Sequence, residues 1–228
     1  MGKFELHVHT KECDIVAACH AADIVKKYHD AGYDGLVVTD HYFCHFYEWF
    51  ADEIRGLSER EIAKRRLRGY YEARNEGEKL GFTVLPGAEV RFDGTINDYL
   101  IYGLCEDFFL TCPVLNRLKN LEELKSILPK DALIVQAHPF RNKMTVCDPT
   151  PLFGIEVYNG GTEPFRNEMA EIFASHYGKA KTSGSDCHGY SALGRGGIFT
   201  QSKITCPKDL ADVLTSGSYR LIKNGEIL

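Results

Sequence analysis

FELHVHT, residues 4–10, sets Phe4, Leu6 and Val8 in alternation with Glu5, His7 and His9. Strict alternation is the period of a β-strand, and side chains two apart leave the same face about 6.6 Å apart along it. His7 and His9 therefore point the same way, close enough to converge on one ion.

Working outward from this strand, short apolar runs predict further strands at 35–40, 82–90, 98–104, 132–138, 153–158, 180–185 and 197–204. Helical patterns fill the gaps, so the sequence predicts an α/β fold with mostly parallel strands. One helix begins at Ser58, where Ser58 and Glu61 make a capping box, and ends near Gly81, suited to a left-handed C-terminal position. Its stretch KRRLRGYYEAR is interleaved and flanked by glutamates, the pattern of a solvated face rather than a nucleic-acid patch. A second helix follows Thr162, with Pro164 in its first turn and Phe165, Met169, Ile172 and Phe173 on the packing face, continued by His176.

Polar residues gather at the C-terminal ends of the predicted strands, the edge where parallel α/β folds build their sites. Strand one leads into His7, His9 and Asp14; GLVVTDH ends on Asp40 and His41; FTVLPGAEV delivers Glu89; LIVQAHP delivers His138; TSGSDCH delivers Asp186 and His188. Each alone reads as a hydrogen-bonded structural residue. Five strand ends together read as a metal site. Imidazole with carboxylate, and no clustered thiolates, suits Zn²⁺, Mn²⁺ or Fe²⁺ better than Ca²⁺, and the donors outnumber the four of a structural zinc, so more than one ion is expected. His20 and His29 read as surface or capping residues of the first helix. His45, in the aromatic HYFCHFYEWF, reads as part of a wall over a substrate pocket.

The 228 residues predict one domain, 1–228, with 44% hydrophobic and 26% charged residues. A formal charge of −5 argues against a broad nucleic-acid surface, so any phosphate recognition must be local. No long apolar run or secretory pattern is present, which predicts a cytoplasmic protein without a membrane partner. The eight cysteines lack CxxC pairing and read mostly as buried or partly buried thiols; Cys44 and Cys187, beside the site, are the ones expected to be open to oxidation.

In their order, LHVHT, VTDH, GAEV, AHP, GIEVYNG and GSDCH, spanning residues 6–188, resemble the PHP family, named for polymerase and histidinol phosphatase. The resemblance implies a distorted (β/α)7 TIM-like barrel holding two or three divalent ions (Zn, Mn or Fe) at the C-terminal edge of its strands. It assigns His7, His9, Glu89 and Asp186 to a first metal, with Glu89 bridging to a second that His138 joins, and Asp14, His41 and His188 to a third. Where the family often has histidine in a pattern like H-x-L-x-Y, this chain reads NDYLIYG, so Asp98 takes the matching place and is expected to ligate; the alternative is a turn or strand-start aspartate.

The implied activity is hydrolysis of a phosphoester by a hydroxide activated between metal ions, foremost of a phosphomonoester on a small metabolite or nucleotide, releasing inorganic phosphate. Four carboxylates against three dications would leave a positive excess suited to a phosphate dianion. Arg141 and Arg195 are expected to hold phosphate, with Arg91 a weaker third, against the alternative of surface ion pairs. Asp40 is expected to orient a ligand, and Asp14 is a candidate leaving-group acid. A nuclease or proofreading module, a non-catalytic metal-stabilised domain and a hydrolase of C–N bonds are the alternatives.

Overall fold

The opening strand is buried on both faces, not one. In the computed structural model, which describes residues 2–228, β1 (Gly2–Val8) is covered from Phe4 onward, so Glu5 and His7 lie as deep as Phe4 and Leu6. After it come α1 (Ala21–Asp30), β2 (Tyr33–Val38), β3 (His41–Tyr42), α2 (His45–Trp49), α3 (Ala51–Ile54), α4 (Glu59–Arg66) and α5 (Arg68–Leu80). The middle of the chain holds β4 (Thr83–Pro86), β5 (Ala88–Val90), β6 (Tyr99–Tyr102), α6 (Glu106–Thr111), α7 (Leu121–Ile127), β7 (Leu133–Gln136) and β8 (Gly154–Asn159). Then follow α8 (Pro164–His176), β9 (Ala180–Gly184), β10 (Ile198–Thr200), α9 (Pro207–Ser216), β11 (Tyr219–Lys223) and β12 (Glu226–Ile227).

These strands form two sheets, ordered β12-β11-β10-β1-β2-β4 and β3-β5-β6-β7-β8-β9. The predicted α/β class holds, with β1, β2 and β4 parallel in one sheet and β7, β8 and β9 parallel in the other. The expected (β/α)7 ring is not shown: among the described residues the strands fall into two sheets and no closed barrel is formed by their ladders. β6 runs antiparallel to both β5 and β7. The connection 91–98 between β5 and β6 is too short for a crossover helix, so those two strands can pair only antiparallel. The predicted single strand 82–90 also divides, because the chain passes from one sheet to the other at Gly87, where a Cβ would come within 2.6 Å of Val37 Cγ1. A parallel bridge between Val8 and Cys187 ties the ends of β1 and β9, with His9 N–H donating to the Cys187 carbonyl (3.2 Å) and Cys187 N–H to the His7 carbonyl (3.2 Å).

One apolar cluster, including Phe4, Leu6, Val37, Leu100 and Val135, lies between the sheets, and a larger one lies under the helices. The helix from Ser58 has its capping box and its Gly81 terminus (φ 68°), but it breaks at Leu67 into α4 and α5. At the break the Cys13 thiol donates to the Arg66 carbonyl (3.0 Å), and Gly69 sits where a Cβ would meet Thr10 Oγ1 at 1.9 Å. The helix thus bends to pass the turn that follows β1. For α8 the inward face is corrected: Ala170 and Ala174 are buried, while Phe165, Met169 and Ile172 are 55%, 45% and 70% exposed and His176 is exposed. Small residues let the helix lie close on β8, which turns the larger ones outward. Among the described residues no helix is long and apolar enough to cross a membrane.

Candidate metal centre

The ends of β1, β3, β5, β7 and β9 and the start of β6 bring nine predicted residues to one place: His7, His9, Asp14, His41, Glu89, Asp98, His138, Asp186 and His188. Their donor atoms form overlapping groups: His9, Asp14, His41 and His188; His7, His9 and Glu89; His7, His138 and Asp186; Glu89, Asp98 and His138. Most are fully buried, and two are held in uncommon backbone conformations, His138 at φ 27° and Asp186 at φ 50°. A left-handed conformation in a residue with a Cβ is strained, and folds keep such strain mainly at functional sites.

Glu89 stands at the centre. Its Oε1 lies 3.0 Å from His138 Nε2 and 3.4 Å from His7 Nε2, whereas its Oε2 lies 2.8 Å from His41 Nδ1 and 3.3 Å from His9 Nε2. Asp186 Oδ1 faces His9 Nε2 at 3.4 Å, His7 Nε2 at 3.5 Å and His188 Nδ1 at 3.2 Å. Asp14 Oδ2 sits 3.4 Å from both His41 Nε2 and His188 Nε2. An ion with nitrogen and oxygen ligands at about 2.0–2.2 Å sets neighbouring donors about 3–3.5 Å apart. The separations match that requirement.

A second observation supports the fit. Asp14 Oδ2, Glu89 Oε2, Asp186 Oδ1, His9 Nδ1 and His138 Nδ1 are buried with no hydrogen-bond partner among the described residues. Leaving a buried acceptor unpaired is costly, and three carboxylate oxygens left so in one pocket call for cations. His7 Nε2 and His9 Nε2 also face each other at 3.0 Å. Two ring nitrogens this close suit a shared ion.

Without metal the groups divide the charge among themselves. Burial opposes ionisation of Glu89 and Asp186, but His7 and further imidazoles around them outweigh it and hold both carboxyls well below their ordinary range. Burial likewise opposes charge on His7, yet Glu156, Asp186 and Glu89 raise its pKa well above the ordinary value. His9 goes the other way, to about 3, because burial is reinforced by His188 and His41. His188, against the cost of burial, rises to about 10 through Asp14 and Asp186. Asp14 is lowered from its ordinary value: burial opposes this, but His188, His41 and His9 around it outweigh burial.

Three predicted helpers divide. Arg141 reaches the centre: its Nη2 donates to Asp186, and its Nη1 lies 3.3 Å from His138 Nε2. Arg195 instead donates to the Gly160 carbonyl at 3.3 Å and, among the described residues, its guanidinium bonds none of the nine. Asp40 accepts from Thr10 N–H (2.6 Å) and Thr10 Oγ1 (2.8 Å), so it fixes the chain just after His9; burial pushes its carboxyl up to about 7. His45 and Trp49 extend a stack of rings outward from His41 through Phe43, with centroids 4.8–5.9 Å apart. His20 is exposed and paired with Glu12, and His29 is exposed. Cys187 is buried and its thiol is pushed to about 12 by burial, which corrects the expectation of an oxidisable residue; Cys44 is exposed.

Two buried carboxylates that brace the centre were not anticipated from the sequence. Glu156, on β8, places Oε1 2.8 Å from His7 Nδ1, while its Oε2 accepts from His138 N–H (2.9 Å) and Asn159 Nδ2 (2.9 Å). A carboxylate on Nδ1 fixes the proton there and leaves Nε2 free as a ligand. Glu5 accepts from Leu6 N–H, His7 N–H, Ser185 N–H and Tyr28 OH at 2.8–3.1 Å, and also from Ser185 Oγ, joining β1 to the loop that carries Asp186. The signal was present in both: a glutamate inside an apolar strand, Glu5 in FELHV and Glu156 in GIEVYN, needs a buried partner.

Residues 164–219 match the family model described as PHP-associated. This match, confined to the C-terminal part of the chain, supports the PHP resemblance. The chain's fold is shared with solved structures. A two-domain protein from Bacteroides vulgatus containing a predicted PHP-like metal-dependent phosphoesterase superposes with a TM-score of 0.72 at 16% identity, covering 99% of this chain and 66% of that one. The chain thus spans just under two thirds of that relative. A protein from Bifidobacterium adolescentis proposed to be a metal-dependent phosphoesterase gives 0.52 at 16% identity, over 93% and 95% of the two chains. An amidohydrolase from Chromobacterium violaceum, solved with bound sulfate and no metal, gives 0.54 at 15% identity over 81% and 87%. No curated protein matches the sequence.

Proposed function

We propose that the chain is a metal-dependent phosphoesterase acting on a small phosphorylated molecule, foremost a phosphomonoester of a metabolite or nucleotide. The observation that carries this reading is the convergence of buried imidazoles and unpaired carboxylate oxygens at ion-ligand spacing, with a guanidinium beside them. His7, His9, His41, His138, His188, Asp14, Glu89 and Asp186 would hold divalent ions, Zn, Mn or Fe. Bound there, such ions supply Lewis acidity toward a phosphoryl oxygen and activate water for attack.

The chain's own groups do the rest. Arg141, whose side chain is 33% exposed, has one edge toward Asp186 and His138 and can turn its fork onto a phosphate arriving from solvent. Glu89 uses different oxygens for different halves of the centre and so fixes their spacing. Glu156 holds the His7 ring, and Asp40 holds the chain behind His9. The ring stack from His41 to Trp49 lines one approach and offers an apolar wall to the remainder of the substrate.

Purified protein supplied with Mn²⁺ or Zn²⁺ should release phosphate from p-nitrophenyl phosphate or from mononucleotides. The panel includes bis-p-nitrophenyl phosphate, single-stranded DNA and an amide substrate, since an amidohydrolase shares this fold. Turnover of the amide alone would transfer the protein to C–N hydrolysis, and no phosphoester turnover at full metal loading would defeat the proposal.

A further inference from the structure

The corner formed by Glu89, Asp98 and His138 is where the donor set departs from a cation site. Both Asp98 oxygens are already engaged: Arg91 Nε donates to Oδ1 and Nη2 to Oδ2, each at 2.6 Å. Paired charge-assisted bonds of that length are a strong fork. Asp98 is accordingly missing from the buried acceptors without partners, where Glu89, Asp186 and Asp14 all stand. Its Oδ2 is 3.9 Å from His138 Nε2, outside the spacing of about 3–3.5 Å that a shared small ion sets.

The pair is built into the sheet. β5 and β6 are antiparallel, with Glu89 opposite Leu100 and Val90 opposite Tyr99, so one step further places Arg91 opposite Asp98. Residues 89, 91 and 98 share one face by strand alternation, which turns the guanidinium toward the same centre as the bridging glutamate. Asp98 is buried, and the guanidinium stands 5.8 Å from the Phe43 ring centroid. A dication at this corner would have to break both bonds and then sit beside the displaced positive charge.

We infer that Arg91 is a built-in cation that takes the place of a metal at the Glu89–Asp98–His138 corner, so that this chain holds two ions and not three. The inference rests on reading the site as a metal centre. Asp98 is then a partner of Arg91 and not a ligand, while His138 remains available through its group with His7 and Asp186. Charge also balances differently. The Arg91–Asp98 pair is neutral, and Asp14, Glu89 and Asp186 face two dications, leaving a small positive excess for an anionic substrate. Unlike a metal, the guanidinium is not removed by a chelator.

The test is metal stoichiometry. Chelator-stripped protein is titrated with MnCl2 or ZnCl2 by calorimetry, and the loaded protein is assayed by elemental analysis, with circular dichroism to verify folding. Wild type should bind about two equivalents, the count of a two-metal site. Asp98→Asn should keep that number, with affinity changed by less than the roughly tenfold expected when a ligand or its support is lost. The double variant Arg91→Met/Asp98→His, which removes the guanidinium and supplies an imidazole, should gain an equivalent. Three equivalents in wild type, or the loss of one in Asp98→Asn, overturns the inference while leaving the metal centre intact. No specific binding by wild type overturns both. If a variant fails to fold, the wild-type count decides.

Discussion

Replacing Glu156 by glutamine is the sharpest perturbation of the centre, because it changes one atom and removes none of the residues proposed to hold metal. Glu156 now accepts at both oxygens, from the His7 ring at 2.8 Å and from His138 N–H and Asn159 Nδ2 at 2.9 Å each. Glutamine has one acceptor and one donating end. If its oxygen faces His7, its NH2 confronts two donors; if it is flipped, the NH2 donates to Nδ1 and forces the proton onto Nε2, the nitrogen that meets His9 and Glu89. Either arrangement weakens the centre. Loss of such a supporting carboxylate typically costs 10–100-fold in metal affinity, about 1.4–2.7 kcal/mol. Competition of stripped protein against a fluorescent chelator for Zn²⁺ measures this directly, with circular dichroism as the folding control. An affinity within about twofold of wild type, in a folded variant, would show that Glu156 does not set the His7 ring, because that change is far below the loss named above.

Other consequences follow from the same geometry. Acid should release metal, because protons compete for His7, whose pKa is raised, and for the other imidazoles; metal content unchanged after dialysis at pH 5 would contradict this. In the metal-stripped protein, His9 stays neutral down to about 3 while the unfolded chain takes its proton near 6.5, so stability should fall as pH drops through that window. His188, raised to about 10, contributes stability that is complete below about 6.5 and is lost as pH rises through its folded value, so the melting temperature should also decline on the alkaline side. Arg141→Ala should raise KM or lower kcat by roughly tenfold or more while metal content stays constant; unchanged kinetics would remove the guanidinium from substrate binding. Gly184→Ala would place a Cβ 2.4 Å from His7 Cβ and 2.6 Å from Glu156 Oε1, so thermal unfolding should report a loss of about 1–3 kcal/mol together with weaker metal binding. A variant as stable as wild type would mean that β9 can move away from β1.

The sequence alone settled what local periodicity and strand-end position settle. Alternation put His7 and His9 on one face, and the recurrence of imidazole or carboxylate after the apolar runs gathered eight of the nine residues now found together, with Asp98 supplied by the PHP resemblance. Ser58, Glu61 and Gly81 announced the ends of a helical segment because caps are local chemistry. What depends on neighbours was not legible in this way. The break at Leu67 answers to Cys13 and Thr10 from a distant turn, and the outward turn of Phe165, Met169 and Ile172 answers to how closely α8 lies on β8. The antiparallel run of β6 within an otherwise largely parallel sheet was equally out of reach, since strand direction follows from connection length in space. Glu156 gained its role only when β8 came beside β1's histidine, and Asp98 met Arg91 only through the pairing register of β5 and β6. Residue identity selected the chemistry of the centre; the tertiary structure decided which charge answers which, because a buried group's partner is fixed by packing across the chain and not by its neighbours along it.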